Sequence, residues 1–277
     1  MSNYLFNVLR KASLCRHFEN NVFELVKDKK IEYPVYLSTG QEYIPSSISE
    51  IVKLKKISPL LFGQHRGHSL YLSFGGNIVK LINELMGNKN GCTYGMGGSL
   101  SIHSEKINMF GHDGFLGSNV CIGVGACFSS KKPTIIFMGD STIEEDYTLS
   151  SLGWASTKNL PILFVVEDNN YAILTEKKER RNWDASEVAR GFKIDSFDIE
   201  DNPREIKKVL DKNIFKKPML VNIHTNRLTW HVGAGIDSGN KFDRLNNEIN
   251  LLGEIARNED LKIKKKIDNL WQKHLKI

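Results

Sequence analysis

An α/β fold built on a parallel sheet flanked by helices is the architecture this sequence predicts. Three observations carry it. "TIIFMGD" (134–140) and "PILFVVED" (161–168) are short apolar runs of buried-strand type, separated by a segment with helical spacing. "PMLVNIHT" (218–225) is a third such run. Long stretches at both ends carry apolar residues at helical spacing instead. One domain over 1–277 is therefore expected, with an N-terminal helical and loop extension over 1–57 and C-terminal helices over 238–277.

Along the chain, residues 3–28 read as a helix, with Leu5, Val8, Leu9, Ala12, Phe18, Val22, Leu25 and Val26 near helical spacing. "KKIEYPVYLSTGQEYIP" is broken by Pro34, Gly40 and Pro45 and reads as loop. "SPLLFGQHRGHSLYLSFGG" (58–76) mixes an apolar run with Gly and His, and "NIVKLINELMG" (77–87) is a helix stopped by Gly87. The glycine-rich stretch 90–117 is interleaved with Tyr, Met, Phe and Leu, which argues for an ordered, functional loop. "SNVCIGVGACFSSK" (118–131) reads as a buried helix whose small residues permit close packing. "DYTLSSLGWASTKN" is helical through Tyr147, Leu149, Leu152 and Ala155, and Pro161 opens the strand that follows, where a proline is tolerated. Together these segments make a βαβ unit with a parallel strand pair. A further helix is expected at 202–213, and two amphipathic helices in the last forty residues.

Composition narrows the function classes. The 277 residues suffice for one large core; 40% are hydrophobic and 25% charged, ordinary for a soluble globular chain. No apolar run reaches membrane-spanning length and the N-terminus does not look like a leader, so a cytoplasmic location is expected. Four scattered cysteines suit reduced thiols better than a disulfide framework or a zinc site. The net charge of +6 sits largely in "KDKK" (27–30), "KKER" (177–180) and "KIKKK" (262–266), which read as solvated helix ends. No nucleic-acid-binding motif accompanies them. A basic chain also suits an acidic partner subunit or a phosphorylated cofactor.

Ligands of an open parallel sheet sit beyond the carboxyl ends of its strands. Asp140 and Asn169 lie just past two such ends of one βαβ unit. A carboxylate, an amide oxygen and a backbone carbonyl suit Mg²⁺ or Ca²⁺, above all when a phosphate adds oxygens. The plainer reading has Asp140 capping the next helix and the asparagines forming a turn.

Motifs over the rest of the chain bear on that choice. "GDSTIEEDYTLSSLGWASTKNLPILFVVEDNNYAILT" resembles the thiamine diphosphate motif of 2-oxo acid dehydrogenase alpha subunits (the pyruvate, branched-chain and acetoin type), written GDGxxxEGxxxEsxNfAxxxxLPxxFvxENNxYxxxT. "EYPVYLSTGQE", "QHRGHSLYLSFGG", "GCTYGMGGSLSIH", "GHDGFLGSNVCIGVGA" and "HTNRLTWHVGAG" resemble the family's other segments, in the family's order. The resemblance implies the thiamine diphosphate-binding fold. It implies Mg²⁺ held by Asp140, Asn169 and the Tyr171 carbonyl, with Asp168 in place of the family's first Asn and Asn170 at a variable position. Arg66 and Arg227 match arginines that face the diphosphate, and His65 stands where a Tyr often donates to phosphate. Gly139, Ser141 and Thr142 continue the phosphate loop, Ser141 replacing a glycine. Gly114 and Leu116 match the positions whose backbone meets the aminopyrimidine. His68 and His231 match histidines at the active-site mouth, the catalytic candidates. Glu144 and Glu145 fit either helix capping or an intersubunit contact.

Thiamine diphosphate chemistry also needs a pyrimidine-side domain with an activating Glu, and the chain has no room for one. The resemblance therefore implies a separately encoded beta subunit, most simply as α₂β₂, without which the chain is inactive. The expected reaction is decarboxylation of a 2-oxo acid with acyl transfer, a lipoyl carrier protein being one candidate acceptor. Alternatives are a carboligase or transketolase-like half-enzyme acting in a specialised sugar or secondary pathway, and a non-catalytic scaffold subunit.

Overall fold

The computed structural model describes residues 3–232 and 241–275. The start of the expected 238–277 extension and the "GAG" end of the "HTNRLTWHVGAG" motif lie outside them. In chain order the elements are α1 (Asn3–Lys27), α2 (Tyr43–Leu54), β1 (Leu60–Gly63), α3 (His68–Ser73), α4 (Ile78–Leu85), β2 (Met109–His112), α5 (Ser118–Ser130), β3 (Thr134–Gly139) and α6 (Asp146–Thr157). They continue with β4 (Ile162–Asp168), β5 (Tyr171–Ala172), β6 (Thr175–Glu176), α7 (Lys177–Arg180), α8 (Ala185–Gly191), β7 (Asp195–Glu200), α9 (Pro203–Asn213), β8 (Met219–His224), α10 (Arg244–Leu252) and α11 (Glu254–Leu275). Short 3-10 turns occupy Glu105–Ile107 and Asp140–Glu144.

Packing divides these elements between two compact bodies: residues 1–50, 66–102 and 226–277 form one, residues 51–65 and 103–225 the other. The expected 1–57 extension is thus shared, with the cut after Glu50.

The second body is built on a six-stranded sheet in the order β2-β1-β3-β4-β8-β7, every pairing parallel. All residues of β4, and all of β3 up to Met138, are buried. Strands covered on both faces read as unbroken apolar runs, which is why these two were visible in the sequence. The edge strand β7, "DSFDIE", is only partly buried and carries no such signal. Helix α5 lies on β1 and β3. The core joins Val120 and Val124 of α5 and Leu152 and Ala155 of α6 to Phe62, Ile136, Met138, Phe164 and Val166 of the sheet. Gly123 sets that approach: a Cβ there would lie 2.7 Å from Ile136 Cδ1 and 3.1 Å from Phe62 Cδ2. Contrary to the sequence expectation, α5 is buried on one face only. Cys121, Ile122, Gly125 and Phe128 are exposed. Because all six strands run the same way, their carboxyl ends share one edge of the sheet. Gln64 and His65, Asp140, Asn169 and Thr225 are delivered there.

The first body is helical. Helix α1 packs against α3, α10 and α11, and its contacts to the C-terminal helices include a polar seam. Arg16 makes two hydrogen bonds to Asp243, 2.8 and 2.9 Å, and lies 2.5 Å from Glu42. Ser13 and His17 both meet Asp260. The segment read as loop up to Pro45 ends early, since α2 begins at Tyr43. Pro45 falls in its first turn, where the missing N–H costs no helical bond.

Candidate functional site

Gly139 closes β3, and Asp140 opens the 3-10 turn that follows. The Asp140 carboxylate is buried, 2% exposed. Its Oδ2 accepts from Arg180 Nη2 at 2.5 Å, and its backbone carbonyl accepts from Arg181 Nη1 at 2.5 Å. Both arginines also reach Glu144, so neither capping nor an intersubunit contact is needed to account for that residue. Burial, and then the charge of Asp168, push the Asp140 carboxyl above the ordinary Asp range, while the arginines pull it back. Oδ1 accepts no hydrogen bond from the described residues.

The next strand ends in a second buried carboxylate. Asp168 accepts from Lys177 Nζ at 2.7 Å, Asn222 Nδ2 at 3.1 Å and the backbone N–H of Asn170 at 3.0 Å. Burial alone would raise its carboxyl, but these donors, Lys177 foremost, hold it below the ordinary value. Asn169 Oδ1 accepts the backbone N–H of Tyr171 at 3.1 Å. Asn170 adopts φ +70°, the left-handed turn that leads into β5, and asparagine is among the few side-chain-bearing residues that tolerate it. The β5 strand then packs against the 140–144 turn. Asp140, Asn169 and Tyr171, predicted as one oxygen set, thus come to neighbouring elements. Among the described residues no group of three or more His, Cys, Asp or Glu side chains suits a metal. A set with a single carboxylate is not of that kind.

The "KKER" run departs from its reading as a solvated helix end. Lys178 and Glu179 do face water, but Lys177 and Arg180 turn inward onto Asp168 and Asp140. No local pattern signals this, because the counter-charges of Arg180 lie 36 and 40 residues away in sequence.

A small cleft in the same body is lined by Gln64, His65, Gly114, Leu116, Asn119 and Thr142 among others. Four sequence-predicted residues, His65, Gly114, Leu116 and Thr142, therefore meet at one place. The Leu116 carbonyl is already engaged by the Tyr147 hydroxyl. Gln64 escaped the sequence reading although it directly precedes His65. Its Nε2 donates to Glu167 Oε2 at 2.5 Å.

In the helical body, Arg66 and Arg227 gather on a third predicted residue. Arg66 Nη2 and Arg227 Nη1 lie 3.0 and 3.2 Å from His231 Nδ1. A guanidinium can only donate, so Nδ1 accepts and the ring proton sits on Nε2. Arg66 also donates to the Leu37 carbonyl at 2.9 Å, and Tyr36 packs edge-on to the His231 ring.

His68 differs from expectation. It is fully buried, with Nδ1 3.0 Å from Glu19 and Nε2 2.9 Å from Ser99. A ring with both nitrogens engaged and no exposure does not stand at a mouth; it ties α1 to the glycine-rich loop. That loop has a second anchor the sequence did not reveal. The buried Glu84 carboxylate accepts four backbone N–H groups, from Thr93, Gly95, Gly97 and Gly98, at 2.7–3.1 Å.

Comparison with known proteins follows the same lines. Solved structures of transketolases share the fold. One from Campylobacter jejuni has TM-score 0.57 at 14% identity, covering 100% of this chain and 49% of that one. A variant from Pichia stipitis has TM-score 0.58 at 15% identity, covering 98% and 46%. This likeness carries the thiamine diphosphate-binding fold. The alpha-1 subunit of the mitochondrial pyruvate dehydrogenase E1 component of Oryza sativa subsp. japonica is 26% identical over 236 residues, 82% of this chain and 60% of that protein. Its counterpart from Rickettsia prowazekii is 27% identical over 232 residues, covering 79% and 70%. The chloroplastic alpha-3 subunit of Arabidopsis thaliana is 30% identical over 243 residues, covering 81% and 56%. The chain spans about three fifths of the length of the first of these relatives. The family described as "Dehydrogenase E1 component" matches residues 10–241, well over half of the chain, and this protein is therefore a member of the dehydrogenase E1 component family.

Proposed function

We propose that the chain is the alpha-type subunit of a heteromeric, thiamine diphosphate-dependent enzyme. It would decarboxylate a 2-oxo acid and transfer the acyl group, working with a separately encoded beta subunit, as α₂β₂, and with a lipoyl carrier as acceptor. The observation that carries this reading is the convergence of Asp140, Asn169 and Tyr171 at the carboxyl edge of a parallel sheet, in a chain of this family.

The residues present fit the cofactor. A Cβ built on Gly139 would lie 3.9 Å from both Gln64 Oε1 and Thr142 Oγ1, ordinary contact distance, so polar atoms flank the backbone beside Asp140, and Gln64 Oε1 is buried without a donor among the described residues. With Arg180 on Oδ2, Asp140 offers Oδ1 to a cation. Asn169 Oδ1 and the Tyr171 carbonyl would complete the oxygen set that Mg²⁺ favours. When bound, thiamine diphosphate supplies the nucleophilic and electron-accepting chemistry that decarboxylation of a 2-oxo acid requires.

The chain's own residues bind and orient. Arg66 and Arg227 serve as phosphate ligands whose guanidinium planes are held by His231. His231, protonated on Nε2, acts as a donor toward a carboxylate. His65, Gly114, Leu116, Ser141 and Thr142 line the path of the cofactor, and His68 positions the glycine-rich loop. Titration calorimetry of the chain with its beta partner, Mg²⁺ and thiamine diphosphate tests the reading. Asp140→Ala and Asn169→Ala should each weaken binding by at least roughly tenfold, the worth of one lost charge-assisted contact. Unchanged affinity in both would sink the site.

A further inference from the structure

We propose that Gln64 is a further positioning residue of this site, whose side-chain oxygen accepts a hydrogen bond from a donor held in the cleft. The inference rests on the thiamine diphosphate reading and adds to it a residue that the motif resemblance does not assign.

Gln64 follows β1 at the carboxyl edge of the sheet and is 6% exposed. Its amide orientation is settled by its neighbour. Glu167 Oε2 lies 2.5 Å from Nε2, and a carboxylate can only accept, so the NH₂ faces Glu167 and the carbonyl oxygen points elsewhere. A flipped amide would set oxygen against oxygen. Gln64 Oε1 is buried and meets no donor among the described residues. Folded proteins rarely keep such an acceptor, and where they do a ligand or a water commonly answers it.

The space beside that oxygen is part of the site. Glu167 is the β4 residue paired with Gly139, and β3 lies between β1 and β4. Gln64 therefore passes over Gly139 to reach Glu167. The two atoms nearest a Cβ built on Gly139 are Gln64 Oε1 and Thr142 Oγ1, each at 3.9 Å. Oε1 thus lies beside the Gly139 backbone, next to Asp140, and Gln64 lines the cleft shared with Gly114, Leu116 and Thr142.

The chemistry of the donor is narrow. Thiamine diphosphate carries one N–H donor group, the amine on its pyrimidine. Water on the bound cation is the other source. Both present an O–H or N–H to a neutral carbonyl oxygen, and three probes separate them: Mg²⁺ with thiamine diphosphate, Mg²⁺ with the analogue lacking the pyrimidine amine, and Mg²⁺ with inorganic pyrophosphate. The experiment is calorimetry of the full chain together with its beta partner, as wild type, Gln64→Leu and Glu167→Gln, with thermal melts to show that each variant folds and assembles. Gln64→Leu should bind thiamine diphosphate roughly tenfold more weakly. If the amine is the donor, the deaminated analogue binds wild type and Gln64→Leu alike. If the cation's water is the donor, Mg²⁺-pyrophosphate shows the same tenfold loss. Glu167→Gln, which frees the amide to turn, should give a smaller loss with the same probe dependence. A merely structural role would weaken all probes equally only in step with a lowered melting temperature, and that pattern overturns the proposal. Equal affinity of wild type and Gln64→Leu for every probe overturns it too, and leaves the cofactor reading standing. Wild type that binds none of the probes removes the cofactor reading itself, and this inference with it.

Discussion

Asp168 shows how a departure from a family pattern is absorbed by its neighbours. The resemblance puts an asparagine at this position, and a carboxylate adds a buried negative charge beside Asp140. Lys177 answers it at 2.7 Å, and Asn222 supplies a second donor. The two charges make sense only as a pair, because a buried charge whose partner is removed is far costlier than the pair itself. Lys177→Met should therefore destabilise the chain by about 2 kcal/mol, less than a fully enclosed pair loses because the lysine keeps 20% exposure. The double variant Lys177→Met with Asp168→Asn should recover most of that. Urea denaturation at neutral pH measures both, and a double variant no more stable than Lys177→Met alone would contradict the pairing. Nothing local in "EDNNYAILTEKK" announces this contact. Residue types were legible here, but partners were not, since Asp168 meets Lys177 only after the β5–β6 turn folds back.

The elements divide by how they hide their apolar surface. Strands β3 and β4 were legible because both faces are covered. Strand β7 was not, because four of its six residues are polar and it lies at the sheet edge. Helix α5 was legible as a helix, yet its burial was overestimated: the small residues serve one close face, not all of it. Gly123 lies on that face, so Gly123→Ala should cost about 1–3 kcal/mol by overpacking against Ile136. At Gly125 a Cβ meets nothing within 4 Å, and Gly125→Ala should be neutral or slightly stabilising through helix propensity. Chemical denaturation of the two variants side by side gives the comparison, and equal effects would refute the packing argument. The α1–α11 seam carries a pH signature. Burial opposes ionisation of Asp260, but hydrogen bonds from His17 and Ser13 hold its carboxyl below the ordinary value. A carboxyl depressed in the folded state stabilises above its unfolded pKa, and that contribution drains away as pH falls through the folded value. Asp260→Asn should therefore lower stability at neutral pH, with the gap to wild type closing as pH falls below about 4, the unfolded carboxylate range. A gap that persists unchanged into acid would show that ionisation of Asp260 is not what the seam uses.

At the scale of the whole molecule, the site is made of charges that nearly cancel within the chain. Asp140, Glu144 and Asp168 face Arg180, Arg181 and Lys177. Such a cluster is neutral enough to remain folded without a ligand. It also keeps Asp140 Oδ1 for a cation, whose own charge is then matched by a diphosphate. The ligand should therefore add to stability rather than be required for folding. Mass action gives the size of the effect: free ligand at 100 times its Kd stabilises the native state by about 2.7 kcal/mol. For a chain of this length that corresponds to a rise in melting temperature of roughly 5 °C. Mg²⁺ with thiamine diphosphate should produce that rise, and excess chelator should abolish it while leaving the ligand-free melt unchanged. In Asp140→Ala the shift should vanish, although the ligand-free melting temperature will also move because Arg180 loses its Asp140 Oδ2 partner. A chain that needs the ligand to melt cooperatively at all would mean that the internal arginines and lysine do not neutralise the carboxylates. A wild-type shift that survives chelation would mean that the cofactor is held without the cation, and that Asp140 has another task.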